Sequence, residues 1–110
     1  MHSHQEVELR SLALHRLVAE KIRRDPALMR RAEATLRHWR TRVSPASQPY
    51  IEDWERLVHQ GLDVCLAIAV EDSPRATALR QCSPFTGVLT HQERFSFLRE
   101  WGRAHAARTA

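Results

Sequence analysis

The chain has 110 residues, long enough for one domain with a modest core and too short for two. With 43% hydrophobic and 27% charged residues it is globular rather than disordered, and its longest apolar run, Val64 to Val70, falls well short of the roughly 20 residues a membrane-spanning helix needs. Cys65 and Cys82 stand outside any CxxC or metal spacing, which excludes a disulfide scaffold. The polar start Met1–Glu6 lacks the apolar core of a signal peptide, so a cytoplasmic location is expected.

The net charge of +4 is unevenly spread. Residues 23–42 hold seven Arg against Asp25 and Glu33, net +5, whereas residues 49–72 hold six carboxylates against Arg56, net −5. Such alternation suits a partner of matching pattern, or pairing between helices within the molecule. Of the basic residues, only Lys21 is not Arg, and the abundance of Ala and Leu favours a coding bias over selection for phosphate binding.

In chain order, Gln5–Arg24 places Val7, Leu14, Val18 and Ile22 at helical spacing, a helix of about five turns. Asp25-Pro26 combines a preferred N-cap with a residue suited to the first helical position, so a second helix is expected over Pro26–Arg42, antiparallel to the first. Its apolar side carries Leu28, Ala32 and Trp39, and its far side Arg30, Arg37 and Arg40. The stretch 43–49 reads as a loop. A third helix covers Pro49–His59 with Tyr50, Ile51, Trp54, Leu57 and Val58 on one face; Gly61 allows a break; Leu62–Val70, apolar nearly all round, is read as a central helix because no second strand-like run exists to pair with it.

Ser73-Pro74 repeats the helix-start signal for a short helix to about Gln81. The loop Cys82–Leu89 follows. Thr90-His91-Gln92-Glu93 is a capping box for a last helix, His91 to about Ala107, expected to bury Phe95, Leu98 and Trp101. The fold expected is therefore all-α, a compact single-domain bundle of five or six helices over residues 1–110, with 1–5 and 108–110 frayed.

Motifs with chemistry are absent. The seven His residues show no HxxxH or HExxH spacing, so neither a metal nor any other cofactor is expected. There is no GxGxxG, GxxxxGK[ST] or GxSxG, and the adjacent carboxylates Glu52/Asp53 and Glu71/Asp72 diverge on a helix instead of sharing a proton. A non-enzymatic protein is expected. The arginines Arg30, Arg37 and Arg40 are most simply a solvated face; read functionally, they would neutralise nucleic-acid phosphates. In the loop, Phe85, Val88 and Leu89 either plug the bundle, with Gly87 in a positive-φ turn, or present Phe85 with Arg80 and Arg94 to a protein partner, as aromatic and Arg residues dominate binding hot spots. The pattern is compatible with both.

Arg10-Ser11-Leu12-Ala13-Leu14-His15 with Asp25-Pro26, and the run Leu79–Thr90 with Glu93-Arg94, together resemble a group of small helical bacterial proteins associated with toxin–antitoxin operons. The resemblance spans nearly the whole chain and brings no catalytic residue with it. It implies an antitoxin-like protein that masks a toxin encoded nearby, a nucleotidyltransferase being one candidate, and that represses its own operon, although no DNA-reading motif is present. The reading is thus a non-enzymatic, protein-binding regulator in which partner binding falls to Arg80, Phe85 and Arg94, and homo-oligomers are compatible with it. The alternative is a small basic nucleic-acid-binding protein or transcriptional regulator acting through Arg30, Arg37 and Arg40.

Overall fold

A computed structural model describes residues 4–109, and these form six α-helices with no strand among them: α1 (His4–Arg24), α2 (Met29–Trp39), α3 (Gln48–Gln60), α4 (Leu62–Ala69), α5 (Pro74–Arg80) and α6 (His91–Thr109). The all-α bundle expected from the sequence is the fold observed. Residues 4, 5, 108 and 109, expected to fray, are helical, and the remaining residues of those ends lie outside the described residues.

Local chemistry sets most of the boundaries. In α1 the buried side chains Leu12, His15, Val18, Ala19 and Ile22 recur every three or four residues, forming one inward stripe, and Lys21, Arg23 and Arg24 fill the last turn where the helix dipole favours cations. Asp25 does not cap through its side chain; its carbonyl accepts from Leu28 N–H at 3.0 Å, closing a 3-10 turn over Pro26–Leu28. Helix α2 therefore starts at Met29 and stops at Trp39, shorter than expected. The turn also redirects the chain. The main neighbours of α2 are α3 and a second 3-10 turn at Thr86–Val88, while α1 takes α4 and α5, so the two helices of the expected opening pair are not each other's main partners.

Gly61, at φ 125°, separates α3 from α4 in a conformation that an L side chain rarely adopts. Helix α4 turns Cys65, Leu66 and Ala69 inward but leaves Val64 and Ala67 exposed, so the apolar run is not buried all round. Ser73 caps α5, its Oγ accepting from Ala76 N–H at 3.1 Å. The core gathers around Trp54, which is fully buried and whose Nε1–H donates to the Leu79 carbonyl at 3.0 Å, tying α3 to α5 across the interior.

Helix α6 runs antiparallel to α1. Near one end Lys21 meets Glu93; near the other Trp101 and His105 lie beside Glu6, Val7 and Arg10. Among the described residues α6 buries no side chain. Phe95, expected in the core, is 68% exposed and Leu98 is 42% exposed; Trp101 is half-buried. Spacing explains the difference. Phe97, Trp101 and His105, four residues apart, stack along one side, with ring centroids 6.0 and 3.8 Å apart, and Trp101 and His105 border α1. At about 100° per residue this turns Phe95 about 120° from Trp101 and away from α1, while Leu98, about 60° from Trp101, falls at the margin of that side.

Candidate protein-binding surface

The loop between α5 and α6 is built inward. Phe85 is fully buried, its ring edge-on to Trp54 at 5.2 Å and to His15 at 6.3 Å between centroids. Arg80 is only 7% exposed. Its Nη1 donates to the carbonyls of Ala69, at 3.2 Å, and Glu71, at 2.7 Å, and its Nη2 to Thr77 Oγ1 at 3.3 Å. The guanidinium thus caps the C-terminal end of α4, where carbonyls lack helical partners and the dipole is negative. Burial lowers its pKa, while Asp72, Glu8 and Glu71 counter that effect. Two of the three residues assigned to a partner, Phe85 and Arg80, are therefore largely withdrawn from solvent and engaged within the fold. Of that set only Arg94, on α6, is exposed.

A tie that sequence spacing does not reveal holds the loop down. His15 Nδ1 lies 2.7 Å from the Ser11 carbonyl, which can only accept, so Nδ1 carries the proton; Nε2 then accepts from Ser83 Oγ–H at 2.6 Å. Ser83 Oγ in turn accepts from Phe85 N–H at 3.1 Å. Burial, and secondarily the charge of Arg80, lowers the His15 pKa against the opposing Ser11 hydrogen bond, so the ring is neutral. A serine and a histidine in contact have the composition of an activated nucleophile, but a nucleophile needs an open approach. Both side chains are buried. The arrangement anchors the loop to α1.

Gly87 does not take the positive-φ conformation expected of it; Thr86–Val88 closes instead as a right-handed 3-10 turn, with Val88 N–H donating to the Phe85 carbonyl at 3.0 Å. The Val88 carbonyl receives Lys21 Nζ at 3.1 Å and Arg31 Nη1 at 3.4 Å. These two cations fasten the loop to α1 and α2.

The arginine stripe of α2 is only partly available. Arg40 pairs with Glu55 of α3, while Arg30 and Arg37 are exposed and form no ion pair among the described residues. Arg37 and Arg40 line a groove of about 460 Å³ between α2 and α3, with Leu36 and Val58 below and Glu33, Glu55 and His59 around it. Carboxylates on its walls make it a poor phosphate channel. Among the described residues no group of three or more His, Cys, Asp or Glu is placed to hold a metal ion.

The surface with the character of a docking face is the outward side of α6. Phe95 and Leu98 lie one turn apart, Arg99 stands over the Phe95 ring at 5.9 Å, and Arg94 and Arg103 are exposed. The acidic residues of the helix are directed elsewhere: Glu93 bonds Lys21 at 2.6 Å, and Glu100 lines the α1–α6 groove with Leu17. Sequence reasoning named Arg94 here and missed Phe95 and Leu98, taking them for core. No family model matches the chain, and neither a curated protein nor a solved structure matches it. No described helix is long and apolar enough to cross a membrane.

Proposed function

We propose that the protein is a non-enzymatic, cytoplasmic protein-binding regulator that docks its partner on the outward face of α6. The observation that supports this reading is Phe95, an aromatic side chain 68% exposed on a 19-residue capped helix, with Leu98 beside it and arginines around it. Exposed aromatic and Arg residues on a rigid element form typical binding anchors, and fully burying one such apolar side chain gains about 1.5–3 kcal/mol. The antitoxin-like role implied by the resemblance, in which the protein masks a toxin, is the specific form of this proposal.

Photo-crosslinking tests it. A benzophenone amino acid placed at Phe95, in cells that natively express the protein, should capture one discrete protein partner, whereas the same group at exposed Arg30 should not. Equal labelling at both positions, or none at Phe95, rejects the docking face.

A further inference from the structure

On the reading that the outward side of α6 is the docking face, we propose that the partner presents an amphipathic helix whose apolar stripe is flanked by carboxylates. The geometry of α6 supplies three constraints. First, Phe95 and Leu98 form a short apolar ridge one turn long, continued by exposed Gly102, whose lack of a side chain lets a helix approach closely. Second, at about 100° per residue Arg99 and Arg103 fall on the open flank of the ridge and exposed Arg94 on the other, the flank in line with Trp101 that adjoins α1, so positive charge borders it on both sides. Third, neither Glu93 nor Glu100 reaches this face, because Glu93 is held by Lys21 and Glu100 lies beside Leu17.

Arg94 and Arg103 form no ion pair among the described residues, and Arg99 contacts the Phe95 ring. A carboxylate-bearing partner would complete these three guanidiniums, whose planar forks suit carboxylates. A second copy is disfavoured by the same charges. In a two-fold contact between α6 helices each arginine flank would meet its own kind.

The test titrates the full chain with two fluorescent helical peptides of about 18 residues, alike in their Leu stripe and carrying either Glu or Lys on the flanks. The Glu peptide should bind at least ~10-fold more tightly at low salt, and the difference should shrink as salt rises. Arg94→Glu with Arg99→Glu should invert the preference, and Phe95→Ser with Leu98→Ser, both surface changes, should abolish binding of either peptide without lowering the melting temperature. Equal affinities, or preference for the Lys peptide, would overturn the charge argument while leaving the docking face standing if Phe95 crosslinks to a protein. Failure of both peptides to bind would overturn it too. Self-association abolished by Phe95→Ser would mark a second copy as the occupant, and partition onto vesicles of anionic phospholipid without peptide binding would mark a membrane; either result rejects the acidic helix. Absence of any Phe95 crosslink would instead remove the docking face itself.

Discussion

At His15 a buried imidazole is tolerated because both nitrogens are used, one donating to Ser11 and the other accepting from Ser83. Protonation would force Nε2 to donate, oppose the Ser83 hydroxyl proton and place a charge near Arg80. The folded-state pKa is lowered by burial, so the stabilisation is complete above the unfolded value of about 6.5 and is lost as pH falls below it. Urea unfolding at pH 7.5 and 5.5 should show a drop in stability for the parent chain and a smaller drop for His15→Gln. Two phenylalanines ten residues apart should behave oppositely. Phe85→Ala should cost about 3–5 kcal/mol by opening a cavity beside Trp54, and Phe95→Ser less than about 0.5 kcal/mol, as measured by thermal melts.

Helix α6 is held at its start by a reciprocal cap: Thr90 N–H donates to Glu93 Oε1 at 2.8 Å and Glu93 N–H to Thr90 Oγ1 at 3.1 Å. With Lys21 bonded to the same carboxylate, the Glu93 pKa falls to about 2, the Lys21 contact being the largest cause. A depressed carboxylate pKa contributes stability above its unfolded value and loses it as pH falls, here between about 4.5 and 2. Protection of the first-turn amides of α6, taken relative to their intrinsic exchange rates at each pH, should fall across that window, and Glu93→Gln should show low protection already at neutral pH. The cap was legible in the sequence because its residues lie three apart, as was the break at Gly61. Which side of α6 would face inward was not legible. Phe95, Phe97, Leu98 and Trp101 are all apolar, and only the position of α1, brought alongside by tertiary packing, decides among them. The same holds for Asp25-Pro26, whose local signal marks a helix start but does not distinguish a 3-10 turn from α-helix.

Across the molecule, the alternation of basic and acidic segments is partly consumed inside the fold: Arg40 of α2 reaches Glu55 of α3, and Arg23 of α1 reaches Asp63 of α4 at 3.5 Å. Exposed pairs of this kind contribute at most about 1 kcal/mol each, but they remove cations from the surface. The α2 stripe is left with Arg30 and Arg37 as unpaired arginines. Mobility-shift titrations should accordingly show weak, sequence-indifferent DNA retention, and Arg30→Ala with Arg37→Ala should flatten its salt slope by no more than about two units. The helical character of the whole was legible from apolar spacing and helix-start residues. The His15–Ser83 tie, which joins residues 68 positions apart, was not, since a hydrogen bond between distant segments leaves no periodic trace.

The two thiols sit at different depths. Cys65 is sealed within α4, where burial, and secondarily the charge of Glu33, pushes its pKa to about 12; Cys82 is half-buried at the edge of the loop pinned by His15. A thiol becomes reactive only where the chain opens enough to expose it and let it ionise. Alkylation of Cys82 should therefore time the lifting of the loop, and alkylation of Cys65 the dissolution of the core, giving the molecule two internal clocks without any added label. If acid loosens the loop through His15 alone, the first clock should quicken below about pH 6.5, after correction for thiolate content, while the second keeps pace with global unfolding.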